Sequence, residues 1–192
     1  MKIKTLFQTL QNRDNADYVE ENGPFVCNWE NTWLGDGYYF WDTFIENAHW
    51  WGEVRYQNNH FVCSAICDFD TQECFDLVGD TDHMSDFSDS VEFMKSQGLL
   101  KKESTVSTVI RFIKEKVGGF NYQAIRAIGI HSISEHNEDY KKYLFRFKFE
   151  VNKKAYLDYK PAIQLCIFER DGLNLRDFKI EYPQEYCLEG YI

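Results

Sequence analysis

Two hydrophobic periods take turns along the chain. KIKTLFQ at 2–8 reads as an opening strand. The segment from Asn12 to Glu21 carries capping residues (Asn12, Asp14, Asn15) and an Ala16/Val19 apolar step, which predicts a short helix. Asn22–Gly23 is expected to end it with a left-handed residue. GYYF at 37–40 predicts an aromatic strand feeding a helix capped by Asp42 or Thr43, with Glu46 in capping-box position. HFVCSAICDF and ECFDLV then read as two strands joined by the turn-like DFDTQ, a hairpin.

Helical spacing follows. Met84, Phe87, Val91 and Met94 form one stripe, with Gly98 just beyond it; Val106, Val109, Ile110, Ile113 and Val117 form a second, closed by Gly118–Gly119. The last third is rich in strands: AIRAIGI, KKYLFRFKFEV, AIQLCIF and LRDFKIEY. In YLFRFKFE apolar and charged residues alternate cleanly, the pattern of an antiparallel strand with one covered face. Strands and helices mix without regular βαβ alternation, so the order predicts an α+β fold. No linker, repeat or low-complexity segment interrupts the chain, which reads as a single domain over residues 1–192.

Composition changes this picture little. At 192 residues the chain can bury a core without staples. The aromatic content of 17% is high and gives the strands bulky side chains. The net charge of −10 argues against non-specific binding to nucleic acid or an anionic membrane. One basic group, Lys141, Lys142, Arg146 and Lys148, runs against that balance and reads as the solvated face of a strand. The N-terminal residues lack the pattern of a signal peptide, and no run approaches the length of a membrane span, so the expected compartment is the cytoplasm.

Candidate chemistry is sparse by spacing alone. Cys27, Cys63, Cys67, Cys74, Cys166 and Cys187 form no zinc pattern, and no metal is expected. His49, His60, His83, His131 and His136 are scattered, none beside a cysteine or serine at a suggestive spacing. The acidic run CDFDTQECFDLVGDTDHMSDFSD lacks a calcium-loop pattern and reads as loop and helix N-terminus charge.

The stretch GDGYYFWDTFIENAHWW at 35–51 is the exception. It resembles a motif of the ADP-ribosyltransferases of the diphtheria-toxin and poly(ADP-ribose)-polymerase type. There a Gly-x-Tyr-Phe strand is followed by an acidic residue and a helix ending in an aromatic. Upstream, LFQTLQNRDNADYVEENGPF has the layout of that family's first strand and helix, with Gln8 and Thr9 where histidine and glycine are usual. Late in the chain, PAIQLCIF places Gln164 near the position of the family's glutamate. Glu169 lies at the far end of that strand, a poor alternative. The resemblance, to a divergent bacterial branch, spans roughly residues 5–52 and 142–168; a toxin-like role is an association of bacterial members and is not carried by these residues.

The resemblance implies two mainly antiparallel sheets forming an NAD cleft, with helices inserted at about 83–117. It implies NAD as substrate, with ADP-ribose passed to an unknown acceptor, a protein among the candidates. It assigns Gln8 to the ribose, with Thr9, Gly37 and Phe40 beside the cofactor, and it matches Asp42 to the acidic position. Tyr39 and Trp50 would clamp the nicotinamide ring, Asn47 would orient its amide and Gln164 would stand at the reacting ribose. Tyr38, Trp41 and Trp51 would then point elsewhere, into packing. Two alternatives stand beside this reading: a catalytically silent binding or interaction module, suggested by the two glutamines, and an unrelated α+β fold whose aromatics are core.

Overall fold

The computed structural model describes residues 1–30, 32–129, 132–136 and 141–187, without the side chains of Val117, Glu135, His136 and Lys141. Ile130 of the expected strand at 124–130, His131 and the Val117 side chain of the second stripe therefore lie outside the described residues. The same holds for the side chains of His136 and Lys141.

The fold is α+β. Nine strands are described: β1 (Lys2–Gln11), β2 (Tyr38–Asp42), β3 (His60–Phe69), β4 (Cys74–Asp76), β5 (Ala124–Ile128), β6 (Arg146–Lys148), β7 (Tyr156–Asp158), β8 (Ile163–Ile167) and β9 (Arg176–Tyr182). The α-helices are α1 (Ala16–Asn22), α2 (Ile45–Tyr56), α3 (Thr81–Ser96) and α4 (Val106–Phe112), the last continued by a π-helical turn over Ile113–Val117. Helices do fall in the 83–117 region. Among the described residues no helix is long and apolar enough to cross a membrane.

Seven strands form one sheet in the order β4-β5-β8-β2-β1-β3-β9, antiparallel throughout except for the parallel pair β4–β5. The other sheet is only the two-stranded ribbon β6–β7. The cleft implied between two sheets is thus replaced by a single large sheet with clefts on its surface. The expected β3–β4 hairpin does not form either; β4 pairs with β5 at the opposite edge.

That connection says how the sheet is shaped. Phe69 and Cys74 are joined by a tight turn in which Cys74 N–H donates to Asp70 O. Five residue steps reach at most about 18 Å, whereas five strand spacings in a flat sheet cover about 24 Å. The sheet must therefore curl. Its inner face is a core to which six strands contribute, including Leu6, Phe40, Ala65, Cys67, Cys74, Ala124 and Leu165.

A buried charge network closes this inner face. Asp42 accepts from Lys4 Nζ at 2.8 and 2.9 Å, from Arg126 Nε at 2.7 Å and from Thr43 Oγ1 at 2.7 Å. Arg126 also donates to Asp76 at 3.0 and 3.2 Å. The motif's acidic residue is therefore a structural ion-pair centre. It does not cap α2, and neither does Thr43: the N-cap is Phe44, with no side-chain cap. Burial opposes ionisation of Asp42, but Lys4 and Arg126 outweigh it and hold the carboxyl below its usual range.

The outer face is covered in two places. Over β1–β3, α2 packs Ala48 and Trp50 on Phe7, Trp41 and Val62. Over β4, β5 and β8, α3 and α4 pack Met94, Val109 and Ile110 on Phe75, Ile125 and Cys166. Of the expected stripes, Phe87, Val91 and Met94 of α3 and Val109 and Ile110 of α4, with Ile113 just beyond it, pack here, whereas Val106 is 44% exposed. At the end of α1, Gly23 has φ −66°, so that helix stops without the expected left-handed residue.

Candidate functional site

Between the α2 and α4 coverings the outer face is left open, and a cleft runs across it. Its floor follows from strand alternation: Tyr39 and Trp41 are two apart on β2, and Gln164 on β8 stands opposite both Trp41 and Ala127. One wall is α2, through Trp51 and Arg55. The 24–37 loop forms the roof, through Phe25, Trp29 and Trp33. This compartment holds about 410 Å³. A second of about 410 Å³ continues toward α4, lined by Leu34, Thr105, Ser107 and Ile128. Thr32, Trp33 and Gln164 line both compartments. The Trp33 ring abuts the Gly129 backbone, so close that a Cβ there would fall 1.0 Å from a ring carbon.

Gln164 is 8% exposed, and its Oε1 is fully buried with no hydrogen-bond partner among the described residues. Leaving a buried acceptor unpaired costs about 1–3 kcal/mol. Its neighbours are aromatic: Trp41 contacts Trp51 with ring centres 6.5 Å apart at 56°. At the mouth, Arg55 sits 5.5 Å from the centre of the Trp29 ring, which is 60% exposed.

Three other polar side chains of the cleft are already engaged. Gln8 Nε2 donates to Phe25 O at 2.8 Å and to Tyr39 O at 3.4 Å, while its Oε1 accepts from Phe25 N at 2.9 Å. The amide thus extends the ladder where β1 and β2 separate. Thr9 Oγ1 donates to Ala48 O at 2.9 Å. Tyr39 Oη donates to Gly35 O at 2.7 Å and accepts from Leu34 N at 2.9 Å. Burial, with Cys166 close by, pushes the Tyr39 phenol well above its usual range, so it stays neutral. Cys166 itself is pushed up to about 12 by burial and is no nucleophile.

Four of the residues singled out by sequence line this cleft: Gln8, Thr9, Tyr39 and Gln164. Four do not. Phe40 is wholly buried in the inner core, since β-alternation turns it away from Tyr39. Gly37 pairs with Cys27 through its backbone, and a Cβ there would meet Cys166 Sγ and Ile167 O at 2.6 Å. Asn47 is fully buried and donates to Pro161 O at 3.0 Å; its Oδ1 has no partner among the described residues. Trp50 is 6% exposed and packs edge-on against Trp41, 6.3 Å away at 81°.

The pair facing the cleft is therefore Trp41 and Trp51, both of which sequence reading sent into packing. Neighbouring helical residues point about 100° apart, so a shift of one residue in the register of α2 exchanges Trp50 for Trp51. Trp29 and Trp33 were also missed. The available signal was two tryptophans four apart in a glycine-flanked loop, a costly place for large apolar rings unless they cover something. Glu169, at the end of β8, is exposed and lies outside the cleft.

Among the described residues no group of three His, Cys, Asp or Glu side chains is positioned to hold a metal. Comparison of the chain with protein-family models, with curated proteins and with solved structures gives no match. The site's class rests on its own geometry: an aromatic cleft with one unpaired amide in its floor.

Proposed function

We propose that the cleft binds a flat heteroaromatic ring bearing an amide, of the nicotinamide type, and that the protein acts as a ligand-binding module. The observation that carries this is the buried, unpartnered Oε1 of Gln164 beside the Trp41 indole. Rotation of the Gln164 terminal amide opens the sealed Oε1 to the cleft, where a ligand carboxamide offers the missing N–H donor. Indole faces and edges favour a flat ring above such a floor. The compartment lies within the usual size of small-molecule sites. NAD, the cofactor implied by the family resemblance, carries such a ring and is the leading natural ligand.

Transfer of ADP-ribose is the second reading, favoured by the meeting of Gln8, Thr9, Tyr39 and Gln164 around one cleft. Against it stands the lack of a carboxylate on the cleft floor among the described residues. Charge set against a developing cation is usually a large catalytic term, and the one acidic side chain in the lining, Glu30, is exposed in the roof loop. Incubation with NAD separates the two. The binding module takes up nicotinamide and NAD without releasing nicotinamide; a transferase releases nicotinamide and labels an acceptor. Heat of binding to neither compound, by calorimetry at millimolar ligand, would overturn both readings.

A further inference from the structure

The β6–β7 ribbon leaves uncovered the face that its sequence marks for covering. Phe147 pairs with Leu157 across the ribbon, so both share a face, and Phe149 follows two residues on. Phe147, Phe149 and Leu157 are 69%, 70% and 53% exposed, and Val151 at the turn is 84% exposed. The ribbon is anchored at its root, where Tyr143 and Phe145 are buried and Lys142 and Lys160 pair with Glu53 and Glu46 of α2. From 146 to 158 it carries Arg146, Lys148, Lys153 and Lys154 against Glu150 and Asp158. In a chain of net charge −10 this is a local reversal.

The complement lies across the molecule. Residues 79–94, which include most of α3, carry Asp80, Asp82, Asp86, Asp89 and Glu92 and no lysine or arginine. Asp86 and Asp89 border a groove of about 640 Å³ lined by Phe93, Phe112, Phe120 and Tyr122, with Lys116 the one basic side chain in it among the described residues. Phe93 is 53% exposed there. The groove is open, aromatic and acidic; the ribbon is exposed, aromatic and basic.

We propose that the apolar face of the ribbon docks into the α3–α4 groove of a second copy of this chain. Alternation turns Arg146 and Lys148 to the other face, so the charge that reaches the groove is that of the Lys153–Lys154 turn. Ribbon-to-groove packing sets it against Asp86 and Asp89, and ribbon-to-ribbon packing would leave it unpaired. The contact is head-to-tail and leaves a free ribbon and a free groove at the ends, so association grows with concentration. The apolar face is small, which makes the association weak, and raising salt weakens it further.

Sedimentation velocity over a concentration series, with the full chain, tests this. Wild type forms dimers and larger species; Phe147→Ser/Phe149→Ser and Asp86→Lys/Asp89→Lys each weaken self-association at least about tenfold, a shift on the scale of a single good contact. Each variant keeps one intact surface, so an equimolar mixture of the two yields a dimer that grows no further. Circular dichroism confirms that each variant is folded. A wild type that stays monomeric to its solubility limit overturns the proposal. So does association that neither variant changes, or a ribbon that binds phosphatidylglycerol vesicles while self-association is absent.

Discussion

Trp41 and Gln164 stand directly opposite each other on β2 and β8, so an indole and an unpaired buried amide share one patch of cleft floor. Gln164→Leu removes the unsatisfied acceptor while keeping the side chain's size. Such a change is expected to be neutral or stabilising, by up to about 1–3 kcal/mol, in chemical denaturation. The same variant loses binding of an amide-bearing ring. A glutamine kept only for packing would show no such opposition.

Trp50 and Trp51 separate packing from recognition. Trp50→Ala opens a cavity in the α2 packing and is expected to lose about 3–5 kcal/mol. Trp51, half-buried at the wall, loses less on truncation but weakens ring binding. Denaturant titration and calorimetry on the two variants give the comparison; the reverse order would restore the helix register expected from sequence.

Arg126 joins Asp42 to Asp76 on the inner face. Arg126→Met leaves two buried carboxylates without their shared partner, a loss of about 3–5 kcal/mol. The depressed Asp42 carboxyl also sets an acid limit. Its contribution is fully present above the ordinary aspartate value, near pH 4, and is lost as pH falls through its lower folded value. Stability measured from pH 5 to pH 2 should fall steeply in wild type and less in Asp42→Asn.

A second pH window lies higher. His49 and His60 meet ring to ring, 5.7 Å apart, against Tyr182. Burial lowers both imidazoles, helped by Lys142 at His49 and by His49 itself at His60. The neutral pair is favoured in the fold, so its contribution is complete above about pH 6.5 and is lost as pH falls through the lower folded values. Unfolding midpoints between pH 7.5 and 5 should drop in wild type, with a smaller slope in His49→Phe.

Element types were largely legible in the chain, because alternation and helical stripes usually follow burial; the exception is KKYLFRFKFEV, where the strand is only Arg146–Lys148 and Phe147 and Phe149 stay exposed. β1, β2, β3, β8, β9 and the two amphipathic helices fall where their patterns put them. Pairing was not legible: ECFDLV reads the same beside β3 or beside β5, and only the curl of the sheet selects the second. Side-chain direction was legible in part on strands, where Tyr39 and Gln164 reach the cleft but Phe40 and Trp41 exchange their expected faces, and failed on α2, where a change of one residue moves a ring by 100°. The engagement of Gln8 was hidden for another reason. Its partner is the backbone of Phe25, in a loop with no pattern of its own.

The central claim is that the Gln164 amide recognises a ring-borne carboxamide. Titration of nicotinamide into wild type and Gln164→Leu, followed by tryptophan fluorescence and by calorimetry, tests it most directly. The account predicts saturable quenching and heat in wild type and neither in Gln164→Leu, with both proteins equally folded. Undiminished binding by Gln164→Leu, or no response from wild type at millimolar nicotinamide, would contradict it.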